Sequence, residues 1–457
     1  MTMTNRVLSS LNSRTSSRVM IRWLGVSIFF FSLFVFIAPQ ITRGKLGALP
    51  EEGDGPDYDM MAVQLTEGNG FSCDWDDPNF SSPYAADNQD QRYQYLLDRH
   101  GQGPTAYRPP LLPLLMAASF KIFGRHFAPI RFLNSIFLAL AVVIAFAVVA
   151  RRFGVIPGLL CTVLLLLVDF RLSYYASQIL TEPQAVLLMT LMFWCLLRSF
   201  ETKSIKWIIA LGMVAGVAFL ARTVFIFWIP ATAIAIFLLT KPANALWISR
   251  RSFRNAALLV GVSLVFAMPW MIRNCVILHK LAPLGTQGDI NLISEYSDPA
   301  LQEGGIWDNP DRFGLFNGAP LQGKSLLEQE KIKADFSRAQ ALNWIARNPL
   351  KLPSLALHKV QNEWRPMDSS QLLMLGLAAL GFVIVVSLYR IDATAYLTMI
   401  ATCTVVIAAT HSVRGRFLVP MVPILISLSA IGLWSFILAC TESAMERLRP
   451  KRAAQGE

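Results

Sequence analysis

Residues 159–168 read Leu-Leu-Cys-Thr-Val-Leu-Leu-Leu-Leu-Val, a run without charge and without alternation of polar and apolar positions. A strand of a membrane barrel alternates between lipid and lumen, so this run is no barrel strand, whereas a helix satisfies its own backbone amides in hydrocarbon. Apolar stretches of roughly 17 to 25 residues recur along the chain, the length a membrane-spanning helix needs. Composition agrees: of 457 residues, 54% are hydrophobic and only 16% charged, with mean hydropathy +0.45. That balance does not describe a soluble surface. The expected class is an all-α polytopic membrane protein with about ten transmembrane helices and two large outer-face loops containing short helices.

The sequence predicts spans near 23–39, 126–150, 155–169, 183–197, 205–221, 224–239, 255–272, 372–388, 393–409 and 417–439. Arg6, Arg14, Arg18 and Arg22 precede the first, as in a secretory signal peptide. Its apolar run is long for a signal, and Thr42-Arg43-Gly44-Lys45 offers no small-residue cleavage site. The expected organisation is an N-terminal transmembrane module over 1–272 with a first outer loop at about 40–125. A second outer loop follows at 273–370, then C-terminal helices and a tail at 371–457.

The net charge of +11 reports topology rather than a nucleic-acid partner, because the basic residues sit in short connections between apolar segments. Arg151 and Arg152, then Arg198, Lys203 and Lys206, then Lys241, Arg250, Arg251 and Arg254, then Arg390, fall on one side. The tail adds Arg447, Arg449, Lys451 and Arg452. By the positive-inside rule this side is cytoplasmic, both termini lie there, and both long loops lie outside. The compact loops suggest a bacterial inner (plasma) membrane, with the loops periplasmic or extracellular.

The first outer loop is acidic, with Glu51, Glu52, Asp54, Asp57 and Asp59 at its start. It ends in an apolar, proline-rich stretch at 109–123, too short to span and expected to lie along the interface. In the second loop, residues 326–348 read as a soluble helix closed by Asn348-Pro349. Cys73 and Cys275 are the cysteines in hydrophilic loops; they could form a disulfide in an oxidising compartment, although two unrelated thiols is the plainer reading.

No phosphate-binding loop of the Walker type, GxGxxG turn, HExxH or CxxC appears, which argues against ATP-driven transport. His100, His126, His279, His358 and His411 form no metal-ligand spacing. What remains is ionisable groups at the outer face. A carboxylate just outside the first span, in Gly53-Asp54-Gly55-Pro56-Asp57-Tyr58, can act as a general base on a hydroxyl, and a solvated acidic loop is the plainer alternative. Glu182, in Thr181-Glu182-Pro183, opens an apolar helix, where a charge is costly unless paired, functional or solvated at the interface. Arg131, Arg222, Arg273, Arg414 and Arg416 lie at outer helix ends against the positive-inside trend. Guanidinium forks suit phosphate oxygens, and snorkelling to lipid headgroups is the alternative.

In order along the chain these elements resemble the GT-C class of integral membrane glycosyltransferases, in the branch of protein O-mannosyltransferases and the bacterial lipid A aminoarabinose transferase. The resemblance runs through Asp54 to Tyr58, Gly68 to Phe71, Tyr107 to Pro113 and an interfacial helix over 114–124. It continues with Arg131 to Asn134, Leu180 to Pro183, the glycines Gly212 and Gly216 with Leu220 to Thr223, and Pro269-Trp270 with Arg273-Asn274. Gly285 to Asn291, and Arg416-Phe417 with Pro420 and Pro423, complete it. The family often has Asp-Glu where this chain has Asp54-Gly55, so a second carboxylate is missing and Asp57 is the residue placed to replace it in part.

The resemblance implies transfer of a sugar from a polyprenyl-phosphate donor to an acceptor hydroxyl on a glycolipid, polysaccharide or protein, with inversion. It implies Asp54 as base, Glu182 and Asp57 orienting acceptor or sugar, and Tyr58, Arg108, Arg131, Arg222, Arg273 and Arg416 holding substrate or the lipid phosphate. No nucleotide enters this scheme; a divalent cation stays open. A transporter or flippase of lipid-linked saccharides is the alternative, but the polar groups gather at one face rather than at midplane, and no internal repeat appears.

Overall fold

The computed structural model describes residues 16–51, 53–239 and 249–448. Arg6, Arg14, Glu52, Lys241, Arg449, Lys451 and Arg452, used in the readings above, lie outside the described residues, as do the side chains of Arg18 and Arg447.

The chain is an all-α polytopic membrane protein. Among the described residues seven helices are long and apolar enough to cross a bilayer: Val19–Thr42, Ala128–Phe153, Glu182–Thr202, Arg250–Leu278, Ser369–Leu388, Arg390–Ala409 and Arg416–Thr441. Three shorter apolar helices, Val155–Val168, Ile205–Ala221 and Thr223–Leu239, stand at the other expected span positions. At 1.5 Å per residue, Ile205–Ala221 reaches only about 25 Å, which leaves Arg222 at its end within reach of the interface.

Phe30, Phe34, Val265, Leu372 and Val405 are each more than half exposed, around an interior that is also apolar. That is the pattern of helices solvated by lipid. Without a hydrophobic drive between helices, close packing relies on small residues. A Cβ on Gly381 would lie 2.0 Å from the Leu428 carbonyl oxygen, and one on Gly432 would lie 2.1 Å from that of Leu377. A Cβ on Gly216 would lie 2.5 Å from the Ser263 carbonyl oxygen.

Two contacts join connections that the charge pattern assigns to one side. Arg152 pairs with Asp392 at 3.2 Å, and Arg251 donates to the Lys203 carbonyl; these connections share one assigned side. Asp54, Arg108, Glu182, Arg222 and Arg416 gather elsewhere, as described below.

Beyond the first span, helix Gly55–Glu67 carries Pro56 in its first turn, where its missing N–H is an orphan anyway. It ends at Gly68, left-handed at φ +91, whose N–H caps the Gln64 and Leu65 carbonyls. An antiparallel hairpin follows, pairing Ser72 with Pro104, Cys73 with Gly103 and Asp74 with Gln102. Helix Leu111–Phe123 spans about 20 Å, too short to cross. It buries Leu112, Met116 and Phe120 with Tyr58, Met60 and Met61 while Leu114, Ile122 and Phe123 stay exposed, as an interfacial helix does.

In the second loop, Leu326–Arg347 is a helix opened by a reciprocal Ser325–Glu328 capping box and followed by Asn348. One boundary differs from expectation: helix Arg250–Leu278 continues through Arg273 and Asn274. Charge marks 273 as an end in the sequence, but the Arg273 guanidinium finds carbonyl partners and the helix runs on to Leu278. Cys73 and Cys275 are both free thiols.

Candidate active site

Five separate segments bring the site together: the 53–58 segment after the first span, Arg108 before the interfacial helix, Glu182 at the start of helix Glu182–Thr202, Arg222 just after helix Ile205–Ala221, and Arg416. Asp54 is the hub. Arg108 Nη2 donates to its Oδ1 at 2.7 Å and Arg416 Nη2 to its Oδ2 at 2.9 Å. Glu182 accepts from Arg416 Nε at 2.5 Å and from Arg222 Nη1 at 3.0 Å, both at Oε1. Its Oε2 is buried and has no hydrogen-bond partner. Asp57 accepts from Arg108 Nε and Nη2 at 3.0 and 2.7 Å and from Arg99 Nη1 at 2.6 Å.

The electrostatics follow from this interleaving. Desolvation raises the Asp54 carboxyl, but Arg108 and Arg416 outweigh it and hold the group well below the usual carboxylate range. Desolvation likewise lowers the Arg108 guanidinium, and Asp54 and Asp57 more than reverse this. Its charge lies 5.6 Å from the Tyr58 ring centroid and 4.7 Å from that of Tyr107. Desolvation pushes the Tyr58 phenol up to about 12. Arg222 lies over the Phe417 ring at 5.4 Å, which packs the residue next to Arg416 against the same cluster.

Of the residues that the sequence singled out, the structure thus brings together Asp54, Asp57, Tyr58, Arg108, Glu182, Arg222 and Arg416. It does not bring in Arg131 or Arg273. Arg131 is 1% exposed, and its guanidinium donates to four carbonyls, those of Ser177, Leu46, Ala48 and Leu49. Arg273 donates to the carbonyls of Thr105 and Phe71 and lies 4.7 Å over Trp270. Both arginines hold backbone where sequence reasoning expected phosphate.

Sequence reasoning gave no separate role to several other polar groups. Arg99 pairs with Asp57, and Asp59 is fully buried against Arg125 at 2.6 Å and the Tyr84 hydroxyl at 2.8 Å. Glu330 accepts from Thr105 Oγ1, Ala106 N and Thr286 Oγ1 at 2.5, 3.0 and 3.1 Å. It thereby ties the second loop to the Tyr107 segment. Nothing in a Glu- and Lys-rich helix marks which carboxylate turns inward. The nearby Gly285 did carry a signal: φ is +82 and a Cβ would lie 2.3 Å from the Ala106 carbonyl oxygen, so only glycine fits.

Among the described residues no group of three or more His, Cys, Asp or Glu is placed to hold a metal ion. The carboxylates at the cluster are each already neutralised by arginine, an arrangement that does not suit a divalent cation, which needs several free anionic oxygens.

Residues 107–272 match the family of dolichyl-phosphate-mannose-protein mannosyltransferases. Solved structures match over most of the chain. The archaeal oligosaccharyltransferase AglB from Archaeoglobus fulgidus, in complex with an inhibitory peptide and a dolichol-phosphate, matches at TM-score 0.50 and 13% identity, covering 94% of this chain and 52% of that one. The apo form of the Archaeoglobus fulgidus oligosaccharyltransferase matches at TM-score 0.51 and 12% identity, covering 92% and 52%. The chain has a GT-C class fold. It spans about half the length of those oligosaccharyltransferase chains. ArnT from Cupriavidus metallidurans, bound to undecaprenyl phosphate, matches at TM-score 0.39 and 15% identity, covering 92% of this chain and 77% of that one. No curated protein sequence matches.

Proposed function

We propose that this GT-C chain transfers a sugar from a polyprenyl-phosphate-linked donor to an acceptor hydroxyl at the outer face of the membrane. The observation that carries the reading is Arg416 shared between Asp54 and Glu182, with Arg222 on the same Glu182. Two guanidinium groups stand where a phosphate can reach them, next to a carboxylate held ionised. The match to a dolichyl-phosphate-mannose-dependent family, and the dolichol-phosphate in the AglB complex, support a lipid-linked donor.

At rest Asp54 is a weak base, because Arg108 and Arg416 favour its charged form. A donor phosphate that draws Arg416 and Arg222 to itself removes part of that stabilisation and raises the basicity of Asp54 when substrate is bound. Asp54 then accepts the proton of the acceptor hydroxyl as that oxygen attacks the anomeric carbon. The bond from carbon to phosphate oxygen breaks and its electron pair leaves on the phosphate, with inversion. Arg416 and Arg222 hold the charge that develops there. Glu182, through its unpartnered Oε2, and Asp57 with Arg108 set the positions around the sugar. Arg131 and Arg273 brace backbone. The acceptor hydroxyl belongs to a glycolipid, polysaccharide or protein, and the sugar is a hexose or pentose. The site faces the periplasmic or extracellular side of a bacterial inner membrane with both termini cytoplasmic, and the loops over about 40–125 and 273–370 cover it.

The test uses the full chain in lipid nanodiscs with a panel of radiolabelled polyprenyl-phosphate sugars and candidate acceptors. Wild type should release sugar to an acceptor and folded Asp54→Asn should not. Donor binding without turnover in both proteins would replace the transferase with a flippase.

A further inference from the structure

Arg416 is held by a short irregular segment, and the second outer loop grips that segment at every turn. After helix Arg390–Ala409 the chain runs through Thr410 to Gly415 before the next helical turn begins. Arg414 is left-handed at φ +53 and Gly415 at φ +89, two consecutive conformations that L side chains resist. Such strain persists only where the surroundings over-determine it.

The surroundings centre on one carboxylate. Glu363, near the end of helix Leu352–Trp364, is fully buried. It accepts from Ser412 Oγ at 2.9 Å and Val413 N at 2.7 Å on Oε2, and from Phe417 N at 2.6 Å on Oε1. The two oxygens therefore close the turn from both sides of Arg414, Gly415 and Arg416. Ser412 is also bridged to the second loop, its N–H donating to the Gly305 carbonyl at 2.9 Å and its carbonyl accepting from Trp307 N at 2.8 Å. His411 pairs with Glu295 at 2.8 Å, so the anchoring begins one residue earlier.

We infer that Glu363 is a positioning residue for Arg416, through which docking of the second outer loop sets the geometry of the donor-phosphate site. It touches neither Asp54 nor Glu182; it acts through the backbone N–H groups that flank Arg416. This inference rests on the transferase reading for its consequence in turnover, but the clamp itself has a readout that needs no substrate.

Glu363→Gln keeps the shape and replaces one acceptor oxygen with an N–H donor facing a backbone N–H. Arginine labelling by phenylglyoxal, mapped by mass spectrometry on the full chain in nanodiscs, should modify Arg416 about tenfold faster in Glu363→Gln than in wild type, the scale of one lost charge-assisted hydrogen bond. Arg125, paired with Asp59 away from the turn, should label equally in both. Turnover of the polyprenyl-phosphate sugar should fall about thirtyfold in Glu363→Gln, yet by less than about twofold when the change is added to Arg416→Ala, because residues acting through one another are not additive. Equal losses in both backgrounds, or unchanged Arg416 labelling in the folded variant, would overturn the inference. If Glu363→Gln does not fold, Ser412→Ala leaves the carboxylate in place, removing its hydroxyl donor and the acceptor of the Arg414 N–H at 3.3 Å, and carries the same comparisons at about threefold, with the same outcomes overturning it. Wild type without turnover, but with the predicted labelling, would sink the transferase reading and leave the clamp standing.

Discussion

Arg416 ties Asp54 to Glu182, with Nη2 at 2.9 Å from the first carboxylate and Nε at 2.5 Å from the second. One guanidinium fork holding two carboxylates from distant parts of the chain cannot be copied by a lysine, whose ammonium is a single point charge. Arg416→Lys and Arg416→Ala should therefore both lower kcat/KM for donor, by about 100-fold or more, in a sugar-transfer assay. A lysine variant with near wild-type turnover would show that bridging is unnecessary.

Asp54 gives a signed pH dependence. Its pKa lies below the free value of 3.8, so the ionised carboxylate contributes stability that is complete above about pH 4 and is lost as pH falls toward the folded value. Thermal unfolding in detergent between about pH 6 and pH 3 should show a shallower acid loss for Asp54→Asn than for wild type. The acid limb of kcat should also lie at higher pH than that of kcat/KM, since the bound phosphate draws Arg416 away from Asp54.

Arg131 separates scaffold from site. With its guanidinium on four backbone carbonyls, Arg131→Ala should destabilise the protein by about 2–4 kcal/mol. The folded fraction should bind undecaprenyl phosphate with an unchanged Kd. A clear loss of lipid-phosphate binding at unchanged Tm would return Arg131 to the site.

Lys359 supplies an alkaline counterpart. Its Nζ is buried without a hydrogen-bond partner, 3.9 Å over the Tyr296 ring, and desolvation lowers it to about 8 from 10.5. The unfolded chain binds the proton more tightly in that interval, so stability should rise as pH goes from about 8 to about 10.5. Lys359→Met should abolish the rise in a Tm series across that range.

Gly432 tests the helix packing. A methyl there meets the Leu377 carbonyl oxygen at 2.1 Å, so Gly432→Ala should cost about 2–4 kcal/mol as the two helices are forced apart. Thermal unfolding of the variant reads this directly.

The sequence exposes the membrane class because hydrocarbon imposes one secondary structure and one length scale, and the run at 159–168 already obeys both. It exposes Asp54, Glu182 and Arg416 because charges at the ends of apolar helices stand out against their neighbours. It does not expose which arginines meet carboxylates: Arg131 and Arg222 look alike at helix ends, and only the tertiary fold decides that one meets carbonyls and the other Glu182. Glu330 and Glu363 were equally hidden, since in hydrophilic helices a buried carboxylate has the same local context as a solvated one. The helix through Arg273 illustrates the same limit, because a charge signals a membrane boundary but not the end of backbone hydrogen bonding.

The most direct measurement is an experimental structure of the full chain with undecaprenyl phosphate bound. The phosphate should lie within hydrogen-bond distance of Arg416 and Arg222, with Asp54 released from Arg416 and still paired with Arg108. A phosphate bound away from both arginines, with the Asp54–Arg416–Glu182 bridge intact, would contradict the account.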